Sequence, residues 1–375
     1  MTSPALLIID DSERSASLLY ATRFRAGDPF VFAEIRGRRH LLVTDLEVDR
    51  ARAESAVDAV HRLSELEKRA RPSARGQAPT LIDTVDAFLR SQGVHALVVP
   101  GSLGVEHADA LRAKGYRLEV RREPFFPARH IKTPDELHLI QQAQRATEDV
   151  VAAAIAILRH AKVRGGVLHD RDGAITSERL RGFIEHELLD RGYRGLNTII
   201  AGGRQATDPH CTGHGPLHAD QAIILDVFPR SIDTGYWADM TRTVVKGRAS
   251  EALKRMYNAV VDAQAAAFAA IRDGIDGKAV HQAVQDVFKD RGFETRRHRG
   301  HMEGFFHGTG HGVGLEIHET PRFGARPSPI RAGMVMTVEP GLYYPRWGGV
   351  RLEDLVVVTK TGCRNLTRFA KQLEL

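Results

Sequence analysis

Apolar residues recur along the chain with two spacings, one typical of amphipathic helices and one typical of short buried strands. Residues 80–90 place their apolar side chains on one helical face, whereas residues 96–99 form an apolar run of strand length. Two further short runs, residues 31–35 and 40–44, flank Arg36-Gly37-Arg38 and predict a hairpin. We therefore expect residues 1–125 to form a small α/β domain.

A proline-rich stretch at residues 123–127 interrupts this pattern, and a helix start follows it. Thr133 can cap the helix, Pro134 suits its first position, and Glu136 completes a capping box. Apolar residues then continue at helical spacing as far as Ile157. The sequence predicts a linker at residues 126–132 and a second domain at residues 133–375.

The second domain alternates amphipathic helices with apolar strands. Further helices are expected to start at the caps Ser177 and Ser250 and to continue around Val280. The predicted strands are residues 198–201, 222–228, 236–245, 335–338 and 350–358. Their hairpin arrangement favours an α+β fold class over a doubly wound sheet. Residues 162–176 are charged and rich in glycine, which predicts a surface excursion between two helices.

Composition narrows the class of protein. Of the 375 residues, 53 are Lys or Arg and 47 are Asp or Glu, for a net charge of +6. The basic residues are spread along the chain, which argues against nucleic-acid binding. Two cysteines, Cys211 and Cys363, cannot build a disulfide framework or a thiolate zinc site. No run reaches the length of a membrane span, and the apolar run at residues 5–9 is too short for a signal sequence, so we expect a cytoplasmic enzyme.

Carboxylates end or follow the apolar strands in two similar units. Asp226 ends one strand and Asp239 follows 13 residues later, while Glu339 ends another and Glu353 follows after 14. Each acid alone is typical of a turn, and Glu353 could pair with Arg351. Together, two hairpins that deliver two carboxylates each predict a four-carboxylate site, and buried carboxylates of this density require cationic charge.

Histidines and glycines alternate in a third segment, His307 to His318. Glycine lets backbone approach a crowded centre closely. One imidazole added to a carboxylate set shifts the metal preference from Mg²⁺ or Ca²⁺ toward Mn²⁺, Co²⁺, Fe²⁺ or Zn²⁺. His214, His218 and His301 are expected to face solvent or to support the site from outside.

These motifs resemble the pita-bread metallopeptidase family, which includes aminopeptidase P, prolidase, methionine aminopeptidase and creatinase. The matching segments are residues 225–226, 235–243, 307–318, 337–341 and 351–353. The resemblance covers residues 131–375, and residues 1–125 resemble the creatinase-like domain of the aminopeptidase P and prolidase branch. The spacing from Asp226 to Asp239 is two residues longer than usual in the family, which preserves strand parity.

The resemblance implies a metal-dependent exopeptidase that cleaves the bond between an N-terminal residue and proline by a metal-bridging hydroxide. It implies two divalent metal ions per chain, with manganese favoured and cobalt, zinc or iron as alternatives, and a homodimer. The implied metal ligands are Asp226, Asp239, His311, Glu339 and Glu353. The implied catalytic residues are His318, Glu339 and His210, and the implied substrate-binding residues are His210, His307, His318, Arg351 and Tyr236.

Two other functions are open at this point. A lyase or small-amide hydrolase on the same fold would use the same metal ligands on a different substrate. A binding module without catalysis would not require them, so the complete ligand set argues against it. The sequence thus predicts a peptide substrate and no nucleic-acid or membrane partner.

Overall fold

The computed structural model describes residues 4–70 and 77–375. The chain divides into two compact units, Met1–Arg129 and His130–Leu375. The strands of the first unit are β1 (Ala5–Asp10), β2 (Phe30–Ile35), β3 (Arg38–Val43), β4 (Ala59–Arg62), β5 (Ala96–Pro100) and β6 (Arg117–Arg121). Its helices are α1 (Ala16–Thr22), α2 (Val48–Glu54), α3 (Leu63–Glu67), α4 (Leu81–Ser91) and α5 (Val105–Ala113).

The first unit is built on one six-stranded sheet in the order β4-β3-β2-β1-β5-β6. The predicted hairpin forms from β2 and β3, with Ile35 opposite Arg38 at its turn. The predicted helix after Thr80 also forms, and Thr80 and Asp83 cap it reciprocally. Apolar clusters cover both faces of the sheet, with Val31 and Leu97 on one face and Phe32 and Val98 on the other. This mixed sheet with helices is the small α/β domain that the sequence predicts.

The second unit contains four long helices and a larger set of short strands. The helices are α6 (Pro134–His160), α7 (Ser177–Asp190), α8 (Glu251–Ala270) and α9 (Gly277–Asp290). The first strands are β7 (Lys162–Arg164), β8 (Val167–Asp170), β9 (Gly173–Ala174), β10 (Tyr193–Arg194), β11 (Ile199–Gly202), β12 (Ile223–Val227), β13 (Arg230–Ser231) and β14 (Met240–Val244). The later strands are β15 (Arg296–His298), β16 (His301–Glu303), β17 (Gly310–Gly312), β18 (Glu319–Phe323), β19 (Val335–Val338), β20 (Gly341–Tyr344), β21 (Gly348–Arg351), β22 (Asp354–Val358) and β23 (Cys363–Asn365).

Local capping fixes where the helices of the second unit begin. The capping box of Thr133 and Glu136 is present at the start of α6, and Ser250 caps α8. The predicted cap of α7 was wrong by one residue. Thr176 is the cap, because its hydroxyl accepts the amide of Arg179, and Ser177 is the first helical residue. Helix periodicity therefore located each helix, while the hydroxyl geometry decided its first residue.

Two sheets carry the acidic residues. One has the order β11-β12-β14, and the other has the order β18-β17-β19-β22-β23. Helices α8 and α9 pack on the second sheet in one apolar cluster that includes Val260, Val284 and Met336. These strands are buried along their whole length, and the polar residues within them, such as Asp226 on β12 and Thr337 on β19, are buried as well.

Two of the predicted strands were too long. The strand expected over residues 236–245 begins only at Met240, and the strand expected over residues 350–358 is divided by Leu352 and Glu353. Here the Glu353 amide donates to the carbonyl of Thr241 (3.1 Å), so the chain leaves the ladder at this residue. The excursion predicted at residues 162–176 forms the small antiparallel sheet β7-β8-β9 between α6 and α7.

In the described residues, no helix is both long and apolar enough to cross a membrane.

Candidate metal centre

Asp226 and Asp239 come from adjacent antiparallel strands. Asp226 lies on β12 opposite Thr241 of β14, and Asp239 precedes β14 by one residue. Both are buried, at 8% and 4% exposure. The Asp239 amide donates to the Gln144 side chain of α6 at 3.3 Å, which fixes the approach of this residue to the sheet. The hairpin therefore carries both carboxylates, and the charge of Asp226 contributes to the raised pKa of Asp239.

His311, Glu339 and Glu353 come from the second sheet. His311 lies on β17, Glu339 follows β19, and Glu353 lies in the break between β21 and β22. The imidazole Nε2 of His311 is 3.3 Å from Glu339 Oε1 and 3.7 Å from Asp239 Oδ2. Ligand atoms of Asp239, His311 and Glu353 all lie within 4.8 Å of one another. Three of the five expected ligands thus already have the spacing of one coordination sphere.

The carboxylates oppose one another's ionisation. Burial, followed by the charges of Glu353, Asp226 and Glu339, raises the pKa of Asp239 well above its ordinary value. Burial and the charges of Glu339 and Asp226 also raise the pKa of Glu353. Burial raises the pKa of Glu339 to about 7, although the Arg351 guanidinium acts against this rise. A site of this kind favours a bound cation.

The state of His311 fits a metal ligand. Burial is the main reason that its pKa is lowered to about 3, so the ring is neutral. The Nδ1 atom lies 3.1 Å from the Gly312 carbonyl, which can only accept, so Nδ1 carries the proton. The Nε2 lone pair consequently faces the oxygens of Asp239 and Glu339. The His311 Nε2 atom and the two carboxylate oxygens are all hydrogen-bond acceptors, so they repel one another at these distances. A cation between them would stabilise the arrangement.

Asp226 supplies a second observation that fits a cation. Its Oδ2 atom accepts from Arg351 at 2.7 Å, whereas its Oδ1 atom is buried without a hydrogen-bond partner among the described residues. A buried acceptor without a partner is rare in folded proteins. The donor set of four carboxylates and one neutral imidazole therefore fits divalent cations of the Mn²⁺, Fe²⁺, Co²⁺ and Zn²⁺ class.

Glycine allows the close backbone approach at this centre. A Cβ atom added to Gly310 would lie 2.0 Å from the Thr337 carbonyl oxygen, a distance that no side chain can adopt. The Thr337 hydroxyl accepts the His311 amide at 3.0 Å and donates to Glu339 at 3.2 Å. Gly310 thus lets β17 approach β19 closely enough for one threonine to position two expected ligands.

Arg351 and His307 belong to one buried chain of hydrogen bonds. The Arg351 guanidinium donates to Asp226 and to the Tyr343 hydroxyl (2.9 Å). His307 Nδ1 lies 2.7 Å from the Gly308 carbonyl and is therefore the protonated nitrogen, so Tyr343 donates to His307 Nε2 at 2.9 Å. Burial lowers the pKa of His307 to about 3, which keeps the ring neutral. Tyr343 connects the two expected substrate-side residues.

His318 and His210 lie at the exposed side of the centre. The ring of His318 packs edge-on against His311, with centroids 4.4 Å apart. Burial lowers the pKa of His318, and the charges of Arg322 and His210 lower it further. His210 is exposed, and its charge also lowers the pKa of His307. Tyr236 is buried and its hydroxyl donates to Glu136 at 2.7 Å, so contact with substrate would involve its ring.

Thr241, Gln144 and Arg322 are among the supporting residues that the sequence did not identify. The Thr241 hydroxyl donates to Glu353 at 2.7 Å, and Gln144 positions Asp239. Arg322 lies opposite His311 in the β17–β18 ladder, and its charge lowers the pKa of Glu339 as well as that of His318. Thr241 and Arg322 lie close in sequence to Asp239 and His318, which was a usable signal. Gln144 lies 95 residues from Asp239, so no local pattern indicated it.

A broad cavity of about 810 Å³ lies elsewhere in the second unit. Its walls come from α6, the small β7-β8-β9 sheet and α7, and they include Ile157, Arg164 and Phe183. None of the expected site residues lines it. The converging titratable groups, rather than the size of a cavity, mark the candidate site.

Comparison with known proteins finds a matching family model and related peptidases. The model of "Metallopeptidase family M24" matches residues 138–360, a span that contains every expected site residue. A Xaa-Pro dipeptidase of Pyrococcus horikoshii is 30% identical over 294 residues, which cover 77% of this chain and 78% of that protein.

Solved structures show the same fold. A Xaa-Pro dipeptidase from Bacillus anthracis superposes with a TM-score of 0.82 at 24% identity. The superposition covers 99% of this chain and 95% of the dipeptidase chain. An X-Pro aminopeptidase from Thermotoga maritima superposes with a TM-score of 0.82 at 22% identity, over 99% of this chain and 97% of the aminopeptidase chain. The α+β architecture, a small domain followed by a pita-bread domain, is thereby confirmed. Because the family match spans most of the chain and includes its acidic centre, the chain belongs to metallopeptidase family M24.

Proposed function

We propose that this metallopeptidase removes an N-terminal residue from peptides in which proline is second. The observation that carries the proposal is the centre of Asp239, His311 and Glu353, with Asp226 and Glu339 beside it, in a chain related to a Xaa-Pro dipeptidase. We propose that these five residues would hold two divalent cations. Ions bound there would activate a water for attack and polarise the scissile carbonyl.

The protein's own groups then divide the chemistry. His318, at the exposed side of the centre, would donate to the carbonyl oxygen as negative charge develops on it. Glu339, a carboxylate beside the expected metal ligands His311 and Asp239, would accept a proton and pass it to the leaving nitrogen. His210 would orient the substrate from the same exposed side. His307 and Arg351 would act from the substrate side through the hydrogen-bond chain they share with Tyr343.

Arg322 bears on the length of the substrate. Its side chain is exposed and its charge reaches His318. A guanidinium at this position can bind a free carboxylate, which a dipeptide places close to the scissile bond. This observation favours a dipeptidase over an aminopeptidase that acts on longer peptides. Manganese as the metal, a homodimer as the assembly, the cytoplasm as the compartment and residues 126–132 as the linker stay predictions.

A substrate panel tests the activity. We expect Xaa-Pro dipeptides to be hydrolysed with kcat/KM at least ~10²-fold above that for Xaa-Ala, which is about 2.7 kcal/mol of transition-state discrimination. Longer Xaa-Pro peptides and N-acetylated substrates are the controls for length and for the free amine. Each assay uses metal-free protein reloaded with Mn²⁺, Co²⁺ or Zn²⁺. Equal rates on Xaa-Pro and Xaa-Ala would favour the small-amide hydrolase instead.

Elemental analysis tests the number of ions. We expect two ions per chain at saturation, because two oxygens from each of four carboxylates, with one imidazole nitrogen, outnumber the about six donor atoms that one octahedral ion takes up. Metal content and activity are measured on the same samples during stepwise loading. Full activity at a plateau of one ion per chain would contradict the dinuclear centre.

A further inference from the structure

The loop of residues 313–318 carries His318 between β17 and β18. In the described part of the chain, the imidazole of His318 makes no side-chain hydrogen bond, and its ring contact is the edge-on packing against His311. The side chain therefore cannot fix its own orientation through hydrogen bonds. The position of His318 depends on the backbone that carries it, which we call the histidine loop.

The carboxylate of Glu319, the residue after His318, organises this backbone. Its Oε1 atom accepts the amide of Leu315 at 3.1 Å and that of Glu316 at 3.4 Å. On the other side of the loop, Trp237 donates its amide to the Gly314 carbonyl (2.9 Å) and its indole nitrogen to the Leu315 carbonyl (3.1 Å). The histidine loop is thus folded around one buried carboxylate.

Lys132 binds the other oxygen of that carboxylate. The Lys132 ammonium lies 2.7 Å from Glu319 Oε2, and the two side chains are only 3% and 5% exposed. A buried ion pair that loses one partner leaves an uncompensated charge, so the two groups are strongly held together. The pair joins residues that lie 187 positions apart in the chain.

The backbone is tightly held at both residues of the Lys132–Glu319 ion pair. The Lys132 amide donates to the Gly333 carbonyl at 2.9 Å, and the next residue is the Thr133 cap of α6. At the other end, a Cβ atom added to Gly314 would lie 2.6 Å from Glu319 Oε1. Lys132 therefore projects from a rigid helix start into a loop that leaves no free space around the carboxylate.

We propose that Lys132 and Glu319 are positioning residues that hold the histidine loop so that His318 faces the substrate carbonyl. The inference rests on the proposed function, because it assumes that His318 contacts substrate. It does not place Lys132 or Glu319 in contact with the reacting atoms. Their effect is expected on turnover, through His318, and not on metal content.

Lys132→Met tests the connection, because methionine is also unbranched and fills similar space without the charge. Lys114→Met is the matched control, since Lys114 forms a similar ion pair with the buried Asp83 in the first unit (2.6 Å). In the Mn²⁺-loaded protein, Lys132→Met is expected to lower kcat by about 10- to 100-fold. Metal content and KM are expected to change little, and Lys114→Met is expected to keep kcat.

Hydrogen exchange measured by mass spectrometry gives a readout that does not depend on activity. Lys132→Met is expected to speed exchange of the peptide that contains residues 313–318, and Lys114→Met is not. Unchanged exchange in this loop would overturn the proposal. A wild-type protein that fails to cleave Xaa-Pro peptides would contradict the proposed function. Exchange needs no substrate, so its result would still decide whether Lys132 anchors the loop.

A double-mutant cycle separates positioning from general stability. If Lys132 acts through His318, adding Lys132→Met to His318→Ala should change kcat by no more than about twofold. An equal loss of kcat in both backgrounds would overturn the proposal. Should Lys132→Met fail to fold, Lys132→Met/Glu319→Gln removes both charges and keeps an oxygen for the loop amides. Wild-type exchange and kcat in that variant would also overturn the role of the ion pair.

Discussion

The individual residues of the centre differ in whether they face substrate or hold another side chain. His311 is neutral with its protonated nitrogen on the Gly312 carbonyl, so its other nitrogen is available as a ligand. His307 is also neutral, but its second nitrogen accepts from Tyr343. Two histidines four residues apart therefore have different tasks, which follow from the group that each Nε2 atom meets.

His318→Ala tests the division between metal ligand and substrate contact. We expect kcat to fall about 10²–10³-fold, the typical cost of losing one oxyanion donor. Metal content should stay close to that of the wild type, because the ring packs on His311 without belonging to the Asp239, His311 and Glu353 group. Turnover and elemental analysis on one preparation provide the measurement.

His301→Ala is the control for loss of an imidazole. His301 lies on β16 and is exposed, outside the expected site. Loss of metal in His318→Ala would show that this histidine is a ligand, and wild-type turnover would remove it from the catalytic proposal.

At the scale of secondary structure, supporting contacts between strands hold the ligands in place. Arg242 on β14 is fully buried and donates to the Glu353 carbonyl (2.7 Å), to Asp354 (2.8 Å) and to the Phe369 carbonyl (2.9 Å). It therefore joins β14, the break before β22 and the segment after β23. The planar, multiply donating guanidinium suits this position better than an ammonium would.

Arg242→Met is expected to lower the free energy of unfolding by about 3–5 kcal/mol, because it breaks a buried ion pair and leaves carbonyl groups without donors. Metal affinity should fall as well, since the backbone of Glu353 loses a partner. Urea unfolding and metal titration measure the two effects. Arg179→Met on α7, where the ion pairs with Asp170 and Asp172 are more exposed, should cost less than ~1 kcal/mol. Equal losses of unfolding free energy in Arg242→Met and Arg179→Met would contradict a special structural role for the buried Arg242.

Local patterns predicted the four long helices of the second unit and the strands that carry or precede the expected ligands Asp226 and Glu339. The start of α6, the hairpin of β2 and β3 and the acidic ends of β12 and β19 depend on residues close in sequence. The division of residues 350–358 at Glu353 depends instead on Thr241, more than 100 residues away. Partners such as Gln144 and Lys132 are likewise distant, and hydrophobic periodicity carries no information about such pairs.

On the scale of the whole molecule, we expect the stability of the fold to depend on a cation at the acidic centre. Burial and the neighbouring carboxylates raise the pKa values of Asp239 and Glu353, so these groups resist ionisation in the metal-free fold. A bound cation would reverse this effect, because a ligand that binds only the folded state stabilises it. One substitution can therefore have opposite effects on stability in the two forms.

Asp239→Asn is the substitution that tests this dependence, because it removes one buried charge and keeps the side-chain volume. In metal-free protein at pH 8 we expect a higher unfolding temperature, by roughly 2–4 °C for about 1 kcal/mol of relieved repulsion. In metal-saturated protein we expect a lower one, since lost affinity removes stabilisation of about 2.7 kcal/mol for metal at 100 times its Kd. Asp262 lies on α8 and forms an exposed ion pair with Arg291. Asp262→Asn should leave the unfolding temperature of both the metal-free and the metal-saturated protein unchanged. Calorimetry with and without chelator provides the measurement, and a shift of the same sign in both forms would show that repulsion among the carboxylates does not govern the stability of the centre.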